Sequence, residues 1–158
     1  VQRWSNKILD WSLGRDLDPN LVATVMQIES CGYQEAVSSS GALGLFQVMP
    51  FHFGADEGMN DRLDPDNNAQ KGLTYLRRSY ELAQGDISKA LAGYNAGHLA
   101  IQWDPATWPE ETQRYVRWGS GIMQDISSGL DPSPTLQAWL EAGGASLCRK
   151  AEVALNLP

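Results

Sequence analysis

Residues 18–32 read DPNLVATVMQIESCG, and the fold turns on this stretch. Asp18 followed by Pro19 is a helix start. The aspartate caps free backbone N–H groups, and proline suits the first helical position because its missing N–H would find no partner there. Leu21, Val25 and Ile28 follow at i, i+4 and i+7, an apolar stripe along one face. Gly32 reads as the stop. The spacing therefore predicts a helix over residues 19–30, with Glu29 in its last turn. That is the wrong end for a carboxylate. The macrodipole is negative there, so the charged form is disfavoured and the pKa is expected to rise. The bland alternative is that Glu29 points to solvent and tolerates a small penalty.

The pattern on either side is also helical. Residues 4–13 place Trp4, Ile8 and Trp11 on one face. Residues 37–44, VSSSGALG, read as a loop or short irregular hairpin, followed by a short apolar piece, residues 45–48, stopped by Pro50. Residues 51–65 read as a surface loop. Asn67 or Asn68 is expected to cap a long helix through residue 83, with Leu73, Leu76 and Tyr80 facing inward. Asp86 can cap a helix over residues 87–93, which YNAG at 94–97 is expected to break. Residues 101–107, with Trp103, read as irregular. Pro109 opens a further helix whose first turn is acidic, where the dipole favours negative charge. Residues 127–134, SSGLDPSP, form a turn-rich linker. Two short helices follow, over residues 135–142 and 146–155, split by Gly143 and Gly144.

The chain has 158 residues, 42% hydrophobic and 20% charged, enough for one globular domain with a core and a small appendage. Its net charge of −7 argues against nucleic acid as a partner. No apolar run has membrane-spanning length, and no signal peptide opens the chain, so a leader or anchor is expected to lie outside it. Two histidines, His52 and His98, without a Cys/His cluster, suggest no zinc site. Cys31 and Cys148 are either unrelated thiols or a disulfide. The bond is the expected reading, because the C-terminal piece is too short to fold alone and must pack back onto the body. Such a bond would stabilise by roughly 4–5 kcal/mol in the chain-entropy model and would imply an oxidising compartment.

After Glu29 the glycines at 41 and 44 permit a sharp turn, which delivers LFQVMP, apolar except for Gln47. If this loop folds over Glu29, its carboxyl sits against Leu45, Phe46 and Met49. A carboxyl kept protonated near neutral pH is what a general acid needs. Ser38, Gln47 and Asn95 are polar groups in small or apolar surroundings, either ligand contacts or loop hydrogen bonds. Tyr94 and Tyr115 read as core aromatics with a satisfied hydroxyl. Trp103, Trp108 and Trp118 are sugar-stacking platforms or core.

IES at 28–30, AVSSSGALGLFQVMP at 36–50, LAGYNAG at 91–97 and PEETQRYV at 109–116 together resemble the Slt-type lytic transglycosylases. The resemblance covers roughly residues 19–126. Phe46 stands where many members have Met, and Gly93 where many have Ala. The resemblance implies a mainly α, goose-type lysozyme-like fold with a small irregular or β loop region. Residues 1–130 are then expected to form the catalytic domain, and residues 131–158 a helical extension packed on it. It implies that Glu29 is the single catalytic acid/base and that Ser38, Gln47 and Met49 line glycan subsites. Tyr94 and Asn95 would support the glutamate and the sugar. Glu111 matches the glutamate of the family's ET pair, and Tyr115 the tyrosine of the last motif. The expected partner is peptidoglycan, met outside the cytoplasm by a monomer with no cofactor and no metal.

Most glycosidases pair two carboxylates. Candidates for a partner here are Glu35, Asp56, Glu57 and Glu111, yet the resemblance implies that none is needed. Glu29 would protonate the bond between N-acetylmuramic acid and N-acetylglucosamine. It would then take the proton of the muramic acid 6-hydroxyl, leaving a 1,6-anhydro end. The competing expectations are a hydrolytic goose-type lysozyme with Asp56 or Glu57 positioning water, and a catalytically silent peptidoglycan-binding domain.

Overall fold

The structure is a computed structural model, described for residues 1–155. Its α-helices are α1 (Ser5–Leu13), α2 (Pro19–Ser30), α3 (Met59–Leu63), α4 (Pro65–Leu82), α5 (Ile87–Ala96), α6 (Glu110–Ser127), α7 (Pro134–Trp139) and α8 (Ala145–Ala154). Among the described residues there is no strand, only isolated antiparallel bridges between Val37 and Leu43 and between Leu43 and Val48. Among the described residues no helix is long and apolar enough to cross a membrane. Contacts group the chain into two compact units, Val1–Thr74 with the chain from Gly143 on, and Tyr75–Ala142. The expected extension, residues 131–158, contributes to both. Helix α7 packs on α6 and α8 on α2.

In the first unit the Asp18–Pro19 start is present, with the Asp18 carboxylate accepting the Asn20 N–H at 2.8 Å. Helix α2 is buried more widely than the predicted stripe, because Val22 and Met26 are as enclosed as Leu21 and Val25 while Ile28 is half-buried. The helix stops one residue before the expected glycine. Cys31 itself adopts the left-handed conformation (φ 51°, ψ 25°), and Gly32 continues it at φ 79°. A non-glycine residue is disfavoured there; its side chain is fixed in a disulfide to Cys148 of α8, with Cα atoms 5.1 Å apart. Helix α1 packs on α2, and Trp4 just before it, with Ile8 and Trp11 within it, is buried. The two indoles stack at 6.1 Å and place their N–H groups on the Gly32 carbonyl and the Asp66 carboxylate. Burying the ring while satisfying its one donor is how a core tryptophan avoids a desolvation penalty.

Two expectations in this unit are corrected. The stretch over residues 51–65 is not wholly loop, since it contains the end of a 3-10 turn, Pro50–His52, and helix α3. Helix α4 is not capped by Asn67 or Asn68. It begins at Pro65, and the Asp64 carboxylate accepts the N–H groups of Asp66 and Asn67 at 3.1 and 2.9 Å. Aspartate followed by proline outcompetes the asparagines because it caps while proline removes one orphan donor.

In the second unit, Tyr80 packs against Ala83, Ala90 and Ile101. Asp86 caps α5 by accepting the Lys89 N–H at 3.0 Å. The helix does not end before YNAG but at its last residue. It runs through Tyr94 and Asn95 to Ala96 and ends where Gly97 takes φ 91°. Gly93 lies inside it for a packing reason: a Cβ there would stand 2.6 Å from Ile101 Cδ1. The expected irregular stretch over residues 101–107 instead holds the end of one 3-10 turn, His98–Gln102, and all of another, Pro105–Thr107. Helix α6 begins after Pro109 as expected, with Glu110 and Glu111 in its first turn.

Candidate active site

Glu29 lies half-buried on the final turn of α2, whose own residues include no basic side chain. The next residue decides how the following loop meets this turn. Ser30 is fully buried, its hydroxyl donates to the Leu45 carbonyl at 2.8 Å, and it accepts the Gly32 N–H at 3.1 Å. The loop expected to lie over Glu29 is thus tied to the turn that carries Glu29. Leu45 and Phe46 are completely buried and Met49 partly so.

The loop is a tight reversal. Leu43 and Val48 exchange two backbone hydrogen bonds of 3.0 and 2.9 Å. Gly44 and Gln47 between them take positive φ, 73° and 46°. The Gln47 amide nitrogen donates to the Gly44 and Ala36 carbonyls at 2.9 and 3.2 Å, and the Ser38 hydroxyl accepts the Ala42 N–H at 2.9 Å. Both predicted glycan contacts therefore also hold the loop together.

Within the second unit, Asn95 and Thr112 join the third and fourth motifs. The Thr112 hydroxyl, nearly inaccessible, donates to Asn95 Oδ1 at 2.7 Å. Glu111 beside it is exposed, and Tyr115 one turn on is buried. The Tyr94 ring meets Tyr75 edge-on at 6.0 Å, and Tyr75 stacks on His98 at 4.2 Å. Burial raises the Tyr75 phenol above its ordinary pKa, opposed by the backbone N–H of His98. Among the tryptophans, Trp108 is core, with its N–H on the Ala100 carbonyl. Trp103 is exposed, and Trp118 is half-buried with the Arg117 guanidinium 4.9 Å from its ring.

The carboxylates weighed as partners for Glu29 differ in what they already do. Glu57 accepts the Asn67 amide at 2.5 Å, the Gly54 N–H at 2.8 Å and pairs with Lys71 at 3.1 Å. These donors, Asn67 first, hold its carboxyl down to about 2. Asp56 is exposed beside it. Among the described residues no group of three His, Cys, Asp or Glu side chains is placed to hold a metal ion.

Residues 6–114 match the family model of the transglycosylase SLT domain. The chain belongs to this family. The chain is 34% identical over 135 residues to a transglycosylase of Enterobacteria phage PRD1, covering 82% of this chain and 50% of that protein. It is 33% identical over 104 residues to membrane-bound lytic murein transglycosylase F of Vibrio cholerae, covering 62% of this chain and 19% of that one. The chain thus spans at most half the length of these relatives. Among solved structures, the 70 kDa soluble lytic transglycosylase of Escherichia coli shares the fold, with a TM-score of 0.67 at 22% identity, over 84% of this chain and 25% of that one. The mainly helical, lysozyme-like architecture expected of the SLT domain is therefore the one found. The family match includes Glu29, the loop, Asn95 and Glu111, and ends just before Tyr115. The disulfide partner Cys148 lies outside it.

Sequence reasoning missed Ser30, Asn68 and Thr112. Ser30 and Thr112 sit within the quoted motifs, where a hydroxyl adjoining a candidate carboxylate was the available signal. Asn68 was read only as a cap.

Proposed function

We propose that this SLT domain cleaves the β-1,4 bond between N-acetylmuramic acid and N-acetylglucosamine in peptidoglycan without consuming water. Glu29 serves as acid and then base. The observation that supports this reading is the Ser30 bond to Leu45, which ties the motif loop to the helical turn that carries Glu29. That position favours the protonated carboxyl before the reaction. The proton goes to the glycosidic oxygen as the bond to the anomeric carbon breaks. The substrate's N-acetyl oxygen supports the cationic centre, and Glu29, now ionised, takes the proton of the muramic acid 6-hydroxyl as that oxygen bonds to the anomeric carbon. The nucleophile is internal to the sugar, so proximity replaces the positioning of a water. Ser38, Gln47, Met49, Tyr94, Asn95, Glu111 and Tyr115 are the proposed glycan contacts. Glu111 binds and polarises rather than transferring the proton.

Hydrolysis would require a carboxylate poised to activate water. Glu57 suits that role poorly, because its oxygens are engaged by three donors and a carboxylate held at about 2 is a weak base. The disulfide accords with action outside the cytoplasm, on the cell wall. The proposed acting form is a monomer. Mass spectrometry of digested peptidoglycan tests the reading. Anhydro-muramic ends are expected; reducing ends would make the domain a hydrolase, and no soluble product with no clearing of cell walls would make it a binder.

A further inference from the structure

We propose that Asn68 is a positioning residue for the proposed reaction, acting through the Gly44–Gln47 turn; the inference rests on the reading of that loop as a glycan subsite. Asn68 belongs to the first turn of α4 and is completely buried. Its Oδ1 accepts the Phe46 N–H at 3.0 Å. Its amide nitrogen donates to the Leu43 carbonyl at 2.9 Å and the Arg62 carbonyl at 3.1 Å. One side chain thus satisfies a backbone acceptor and a backbone donor on opposite sides of the turn, and also fastens the end of α3.

The turn needs such a partner. Between Gly44 and Gln47 the chain reverses inside the core, where unpaired backbone groups would be costly. Ser30 supplies the bond for the Leu45 carbonyl from α2, and Asn68 supplies those for Leu43 and Phe46 from α4. Gly44 permits the approach: a Cβ there would lie 2.6 Å from Asn68 Cγ. An apolar side chain of similar volume would fill the space but remove the bonds to the Phe46 N–H and the Leu43 carbonyl, leaving the Leu43–Val48 pair to hold the turn. The turn would then relax and carry Gln47 and Met49 with it. Small misplacements of this kind cost up to about 100-fold in rate.

The test is Asn68→Asp, which keeps the shape and the acceptor for Phe46 but turns an oxygen toward two carbonyls. With the folded fraction verified by circular dichroism, its kcat/KM on purified peptidoglycan is expected to fall roughly 10- to 100-fold. Gln47→Ala is expected to fall too, and the double variant to fall no further than the worse single one, because both act through one turn. Wild-type kcat/KM in folded Asn68→Asp, or losses that multiply in the double variant, would overturn the proposal. Wild-type activity in Gln47→Ala would instead remove the reading of the loop, and the proposal with it. Should Asn68→Asp not fold, Asn68→Ser and Asn68→Ala assayed below their melting transitions carry the same expectation. If none of the three folds at any temperature, Asn68 is a folding residue and the proposal fails.

Discussion

Replacing both Cys31 and Cys148 by alanine opens a cross-link between residues 117 apart in sequence. For a loop of that size the chain-entropy relation gives about 16 cal/mol/K, or about 5 kcal/mol at 25 °C. At roughly 2–4 °C per kcal/mol for a chain of this length, the melting temperature should fall by about 10–20 °C. A refinement follows from the backbone. Cys31 holds φ 51°, a conformation that costs alanine about 1 kcal/mol and glycine almost nothing. The pair Cys31→Gly with Cys148→Ala should therefore be about 1 kcal/mol more stable than the double-alanine variant. Urea unfolding monitored by tryptophan fluorescence reads both differences. Cleavage at low temperature should persist in both variants, because Ser30, not Cys31, ties the Glu29 turn to the loop. A double-alanine variant within 1 kcal/mol of the wild type would refute the cross-link as a major stabiliser, and equal stability of the two variants would refute the backbone argument.

Glu57 makes a pH-dependent contribution whose sign is fixed by its donors. Its folded-state value, about 2, lies below the ordinary 4.5, so its stabilisation is complete above pH 4.5 and lost as pH falls toward 2. Melting curves of the wild type and Glu57→Gln should differ by a constant amount from pH 7 to 5 and converge below 4.5, with cleavage at neutral pH little changed in the variant. Gly93→Ala should lower the melting temperature because Ile101 must move, and adding Ile101→Val should restore part of the loss. If Gly93→Ala is neutral alone, the close contact does not constrain that site.

Much of the helical framework was legible because its signals are local. Asp18–Pro19 marks α2 at its first residue, and Pro109 marks the start of α6. The failures arise where two local signals compete. Asn67 and Asn68 look like caps, but Asp64–Pro65 lies upstream and takes that role, leaving Asn68 to be drawn into the core. YNAG looks like a breaker, yet only Gly97 adopts positive φ, and Asn95 stays helical. The motif residues could be picked out by chemical type. For Ser30 and Thr112 the adjoining carboxylate was the one local signal, and it does not tell a buried hydroxyl from an exposed one, a difference made only by tertiary partners. The disulfide was inferable because a tail too short to fold alone carries one of two cysteines.

The central claim is that one carboxylic acid does the chemistry, and Glu29→Gln measures it most directly. The amide keeps the size of the side chain but neither donates nor accepts the transferred proton. Release of soluble fragments from purified peptidoglycan should fall on the order of 1,000-fold, while the melting temperature stays level, since a neutral amide replaces a carboxyl that is protonated in the resting protein. Glu111→Gln, assayed alongside, should lose far less. Wild-type turnover by a folded Glu29→Gln protein would contradict the account.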